Sequence, residues 1–150
     1  MRIAVGSDHA GFAVKQAIAQ RLRDDGHDVV DHGCSGEEAV DYPDFGAAVA
    51  RSVASGDCDR GICVCGTGIG ISMAANKVAG VRAATVHDMF TAEMSRQHND
   101  ANVLCLGARV IDPGHAVEVA EYWITVPFGD GRHSGRVAKI NALDDFRAGT

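Results

Sequence analysis

Short apolar runs recur along this chain, each closing on glycine or a small polar residue and each followed by a longer amphipathic stretch. The runs are RIAVG at residues 2 to 6, DVVDH at 28 to 32, RGICVC at 60 to 65, VRAATV at 81 to 86 and NVLCL at 102 to 106. Apolar runs of this length suit strands buried on both faces, and their alternation with helical patterns is that of successive βα units around a parallel sheet. Helices are predicted over 12 to 25, 43 to 55, 69 to 78, 89 to 98, 113 to 125 and 134 to 146. Pro43 and Pro113 fall where a first helical turn accepts proline.

The chain has 150 residues, 46% of them hydrophobic, which is the usual size of one domain with a real core. We therefore expect a single α/β domain over 1–150, a Rossmann-like αβα sandwich on a five-stranded parallel sheet of order 2-1-3-4-5. A formal net charge of -6 argues against a nucleic-acid footprint or a polybasic membrane face. The N-terminal MRIAVGSDHAGFAVK lacks the pattern of a secretory signal and no run approaches the length of a membrane span, so a cytoplasmic location is expected. Five cysteines at irregular spacing, Cys34, Cys58, Cys63, Cys65 and Cys105, do not read as a disulfide framework.

In an open parallel sheet, ligands collect beyond the carboxyl ends of the strands where strand order reverses. The loop after the first strand is GSDHAG and the loop after the third is CGTGIG, and in the expected order they are neighbours. Glycines at 66, 68 and 70 allow a tight turn that aims amides at an anion. The loop matches neither a Walker A motif nor the G-x-G-x-x-G dinucleotide fingerprint, so a nucleotide is disfavoured; a plain strand-to-helix turn is as good a reading of the glycines alone. Cys63 and Cys65 lack the partners of a zinc site and the C-x-x-C spacing of a redox motif. Cys63 and Cys105 read as core. Cys65 differs by position, because it ends its strand beside a run of amides that favours a thiolate.

Among the histidines, His9 in the first loop and His98 in SRQHNDANV stand on the side where Cys65 emerges, and with Asp8 they can share proton transfers. His27, His32 and His115 read as structural or exposed, and His87 stays undecided. Arg132 and Arg136 lie four residues apart in GRHSGRVAKI, a spacing that suits a phosphate if the helix begins there. Two arginines at a helix start oppose its dipole, which points to an anion, and Arg109 in LGARV can join them.

The motifs GSDHAG, DYPDF, CGTGIGISMAANK, MSRQHNDANVL, LGARV and GRHSGRV, in this order over roughly residues 3 to 140, resemble the B-type ribose-5-phosphate isomerases and their galactose- and allose-6-phosphate relatives. The resemblance implies an aldose-ketose isomerase that interconverts ribose 5-phosphate and ribulose 5-phosphate through a cis-enediolate, with no metal and no other cofactor, the alternative substrates being allose 6-phosphate and galactose 6-phosphate. It implies Cys65 as the base, with Thr67 and the amides of Gly66, Gly68, Ile69 and Gly70 around the enediolate oxygens. His98 would open the sugar ring, helped by Asp8 and Thr67. His9, Arg109, Arg132 and Arg136 would hold the phosphate, and Asn99 and Tyr42 the hydroxyls. A branch of the family that uses glutamate as base has it where this chain has Ile71. The resemblance further implies a homodimer with shared active sites, or a tetramer. A phosphosugar-binding sensor without turnover and a thiol redox protein are the readings from other classes; the second would need an awkward Cys63–Cys65 disulfide.

Overall fold

A computed structural model of the protein describes residues 1–148. Five parallel strands, β1 (Arg2–Ser7), β2 (Asp28–Asp31), β3 (Arg60–Cys65), β4 (Ala83–Thr85) and β5 (Val103–Gly107), form one sheet. Six helices accompany them: α1 (Phe12–Asp24), α2 (Tyr42–Ala54), α3 (Ile69–Ala75), α4 (Met89–Gln97), α5 (Pro113–Thr125) and α6 (Ser134–Ala148), the last entered through a 3-10 turn at Gly131–His133. The sheet alternates its side chains between two cores, as the period of a strand requires. Ile3, Val5, Ile62, Val64, Leu104 and Leu106 face α1, α4 and α5, whereas Ala4, Cys63, Cys65, Val103 and Cys105 face α2 and α3. The five cysteines are buried free thiols, and Cys63 pairs in register with Cys105 inside the second core.

The αβα architecture matches the expectation, but the strand order does not. It is β2-β1-β3-β5-β4, with β5 inserted between β3 and β4. Burial explains the exchange. All five residues of β5 are buried, which suits an interior strand, while β4 is three half-buried residues long and suits an edge. Side-chain amides trim this edge. Asn76 bonds the backbone N–H and C=O of Ala83 at 2.8 and 2.9 Å, ending α3 three residues before its predicted limit. Asn102 accepts the Arg82 N–H at 2.8 Å and donates to the Gly80 carbonyl at 2.9 Å, which holds the start of β4 outside the ladder. The adjacency that matters for a site survives, because β1 and β3 still pair and the chain leaves them in opposite directions. Among the described residues no helix is long and apolar enough to cross a membrane.

One buried charge fixes how the segment after β2 runs. Lys15 of α1, 1% exposed, donates from Nζ to both Asp31 carboxylate oxygens at 2.8 and 3.0 Å and to the Cys34 carbonyl at 2.7 Å. Removing the carboxylate strands the buried ammonium. Asp31→Leu should therefore destabilise the protein by about 3 kcal/mol in urea unfolding, and adding Lys15→Met should recover a large part of that loss. A double variant as unstable as the single one would show that the pair is not what the segment depends on.

Candidate active site

The carboxyl ends of β1 and β3 open side by side, and their loops set the walls of a cavity of about 410 Å³. From the first loop come Asp8 and His9. Asp8 is buried, and its Oδ1 accepts the Gly11 N–H at 3.0 Å, which fastens the loop to the start of α1. His9 Nδ1 accepts the Val40 N–H at 3.2 Å, so in the neutral ring the proton sits on Nε2. From the other loop come Cys65, Gly66, Thr67, Ile69 and Gly70. Cys65 Sγ, 4% exposed, accepts the Gly68 N–H at 3.2 Å. That turn needs Gly68 at φ +79°, the left-handed region where a side chain is strained. Thr67 Oγ1 accepts the Ile69 N–H at 3.3 Å.

Tyr42, the first residue of α2, lies over Gly70 so closely that a Cβ there would come within 2.6 Å of the ring. Arg109 closes the opposite side. Its backbone N–H donates to the Gly66 carbonyl at 3.0 Å while the Ala108 N–H donates to the Cys65 carbonyl at 2.9 Å, so the β3–β5 pairing continues past the strands into the loop. The structure thus brings Asp8, His9, Tyr42, Cys65, Gly66, Thr67, Ile69, Gly70 and Arg109 to one cavity, with Gly68 buried behind it.

His98, Asn99, Arg132 and Arg136 are not among the residues lining that cavity. His98, Arg132 and Arg136 gather around His133, and Asn99 follows His98 in the chain. His98 caps the C-terminus of α4 and stacks on His133 with ring centroids 4.2 Å apart and planes 15° from parallel. Arg132 Nε lies 3.5 Å from His133 Nε2, and Arg136 follows in the first turn of α6. Burial pushes the His133 pKa down, and the nearby His98, Arg132 and Arg136 push it the same way. Cationic groups so gathered suit an anion. Sequence reading placed His133 beside the arginines without giving it a role; ring stacking between residues 35 positions apart leaves no trace in spacing. Among the described residues, no group of three or more His, Cys, Asp or Glu side chains is arranged to hold a metal ion.

The sequence profile of a family described as Ribose/Galactose Isomerase matches residues 3–140. The chain belongs to this family. The ribose-5-phosphate isomerase B of Escherichia coli is 44% identical over 97% of this chain and 98% of its own length. A D-erythrulose-4-phosphate isomerase of Mycolicibacterium smegmatis is 38% identical over 95% of both chains. Of solved structures, the ribose-5-phosphate isomerase B of Clostridium thermocellum superposes with a TM-score of 0.96 at 50% identity, covering 98% of this chain and 99% of that one. That of Mycoplasma genitalium with bound ribulose-5-phosphate gives 0.92 at 40% identity and 96% coverage of both. The protein is accordingly an enzyme, a sugar-phosphate isomerase.

His87 gains a structural account. Its Nε2 accepts the Gly107 N–H at 2.9 Å, and its carbonyl contacts His115 Nε2 at 3.1 Å, so it braces the end of β5 behind the isomerase cavity. Burial lowers its pKa below 6.5, against a smaller opposing pull from Asp88. Between that lowered value and 6.5 the unfolded chain binds more protons than the native one, so stability is full above pH 6.5 and declines as pH falls through the window. His133 acts with the same sign. His87→Gln should flatten, without abolishing, the pH dependence of the denaturation midpoint as pH falls below 6.5. An unchanged slope would remove His87 from the account.

Proposed function

We propose that the enzyme interconverts ribose 5-phosphate and ribulose 5-phosphate through a cis-enediolate, with Cys65 as the base that moves the proton. The observation that carries this reading is the Cys65 sulfur itself, at the wall of the cavity with an amide N–H on it at 3.2 Å. The thiolate is the form of a cysteine that can take up a proton as a base. In the open-chain aldose the thiolate removes the proton from C2, and the electron pair moves onto the aldehyde oxygen. The same proton returns to C1 while the hydroxyl proton passes from O2 to O1. The net change is one hydrogen from C2 to C1 and one from O2 to O1.

A proton beside a carbonyl is too weakly acidic to leave unless the developing oxyanion is stabilised, which amides held in a fixed loop do without reorganising. The amides of Gly66, Gly68, Ile69 and Gly70 and the Thr67 hydroxyl take that role, the Gly68 and Ile69 N–H groups exchanging their bonds to Cys65 Sγ and Thr67 Oγ1 for substrate oxygens. His98 protonates the ring oxygen on opening, with Asp8 and Thr67 handling the hydroxyl proton. Tyr42 and Asn99 meet substrate hydroxyls. His9, Arg109, Arg132 and Arg136 hold the phosphate, whose binding energy orients the reacting carbons against Cys65. No metal or other cofactor takes part.

The separation of the two clusters supports a homodimer with shared active sites. His98, Asn99, Arg132 and Arg136 lie outside the cavity that holds Cys65, so a two-fold partner would supply them. A tetramer would pair such dimers. We place the enzyme in the cytoplasm, acting as one domain over 1–150. The kinship with a D-erythrulose-4-phosphate isomerase favours one second reading, the same chemistry on another sugar phosphate.

Turnover of ribose 5-phosphate in excess chelator, beside allose 6-phosphate, galactose 6-phosphate and erythrulose 4-phosphate, tests the substrate. Pentose turnover that dominates supports the first reading, whereas turnover of another phosphate alone keeps the mechanism and changes the substrate. Cys65→Ala should abolish kcat while inhibition by inorganic phosphate persists; near-normal kcat would falsify the base assignment. Arg136→Ala should raise KM about tenfold to a hundredfold, the worth of a charge-assisted hydrogen bond. Mixing the two variants and assaying well below the wild-type KM should restore about a quarter of the wild-type sites if each site draws on both subunits. Subunit exchange without recovery would rule out sharing.

A further inference from the structure

Two arginines with no part in the proton transfers converge on the turn that carries His98 and Asn99. Arg96 of α4 is buried, with its guanidinium over the Trp123 ring at 5.8 Å. Its Nη1 donates to Asp100 Oδ1 at 2.8 Å and to the Ala101 carbonyl at 2.7 Å, and its Nε to the Val126 carbonyl at 3.1 Å. Arg82, which precedes β4, grips the same turn from the other side. Its Nε donates to the carbonyls of Asn99 and Asp100 at 3.2 and 3.1 Å, and its Nη2 to the Asp100 carbonyl at 2.9 Å and Oδ2 at 3.3 Å. Between the two guanidinium groups Asp100 sits at φ +46°, a left-handed conformation that a residue other than glycine keeps where its surroundings enforce it.

The remaining bonds lead to the segment that bears the arginines. Arg82 Nη1 donates to Asn141 Oδ1 at 2.8 Å, just over one turn beyond Arg136 on α6. Arg96 holds the Val126 carbonyl where α5 ends, and the Gly129 N–H donates to the Gln97 carbonyl at 2.9 Å. Both ends of the stretch carrying Arg132, His133 and Arg136 are therefore tied to the turn carrying His98. A second polar link from α6 to the β4 edge is the Gly80 N–H on Asp144 Oδ2 at 2.8 Å.

We infer that Arg82 is a positioning residue of this isomerase, locking the His98–Asn99 turn to α6 so that the ring-opening imidazole and the two phosphate-binding arginines are presented as one rigid unit. A planar fork of five donors can hold two carbonyls, a carboxylate and an amide oxygen together, which a lysine ammonium cannot. The inference rests on the proposed role of Arg132 and Arg136 in holding the substrate phosphate.

The test compares Arg82→Lys, Asn141→Leu, Asn141→Asp and Arg136→Ala for kcat, KM for ribose 5-phosphate, competitive inhibition by inorganic phosphate and Tm. Arg82→Lys should raise KM and the phosphate inhibition constant about tenfold with a smaller change in kcat. Asn141→Leu, which cuts only the link to α6, should raise the same two constants by less, and Asn141→Asp, which still accepts the bond, should keep them near wild type. If Arg82→Lys fails to fold, the Asn141 pair decides by the same comparison. Variants that lower Tm yet leave both constants within about twofold well below melting would reduce Arg82 to a structural tie. If Arg136→Ala also leaves phosphate inhibition unchanged, the phosphate role of the arginines falls and takes the inference with it; if only Arg136→Ala matters, the inference falls alone.

Discussion

For the Gly68 amide to reach the Cys65 sulfur at 3.2 Å, the chain must reverse within three residues of the end of β3, and most of what surrounds the thiol follows from that turn. It requires the left-handed glycine. It leaves the Cys65 and Gly66 carbonyls pointing at β5, where the Ala108 and Arg109 amides take them. It starts α3 directly afterwards, at Ile69, so Gly70 meets the Tyr42 ring. One hydrogen bond on a sulfur thus coordinates three elements, and its amide donor sits where a negative sulfur would want it.

The proposed chemistry is divided in space between two groups of residues that one chain does not bring to a single cavity. The thiol cavity carries acid, thiol, hydroxyl and phenol groups with a single arginine, whereas the cationic groups gather around the 3-10 turn before α6. In a protein of net charge -6 such a cluster is held together against mutual repulsion by the backbone and by stacking. That arrangement favours an anion arriving from outside over an internal ion pair. A sugar with a reactive end and a phosphate end has the matching polarity, and a two-fold partner is the simplest way to bring both ends of the site to it.

The elements of this fold were legible because each apolar run and each proline or glycine boundary acts locally. The paired loops after β1 and β3 were legible for the same reason, since their adjacency follows from any switch of strand order beside β1. The exchange of β4 and β5 was not, because it depends on how completely VLCLG is buried compared with the short AAT, a property of the finished packing. The trimmed ends of α3 and β4 depend on the Asn76 and Asn102 side chains standing in for backbone partners, and either amide could as well have faced water. His133 on His98 and Asp100 on Arg82 are contacts between distant positions with no periodic signature, whereas Asp100 on Arg96 is an i,i+4 pair.

Two partly exposed carboxylates meet deeply buried cations, Asp31 on Lys15 and Asp100 on Arg96. Neither lines the thiol cavity. Each cation also takes up backbone carbonyls, Cys34 for Lys15 and Ala101 and Val126 for Arg96. Replacing a buried ion pair by apolar side chains often leaves stability unchanged or improved, so net stability is a weak reason for either to be there. Their geometry supplies a better one. Apolar packing would allow a loop to slide, whereas a cation that must satisfy both a carboxylate and specific carbonyls admits one placement. The first pair fixes the start of the segment leading to Val40 and Tyr42, hence to His9; the second fixes the turn of His98 and Asn99. Buried charge in this isomerase therefore serves alignment: it holds two irregular loops on a regular sheet closely enough for chemistry that depends on fractions of an ångström.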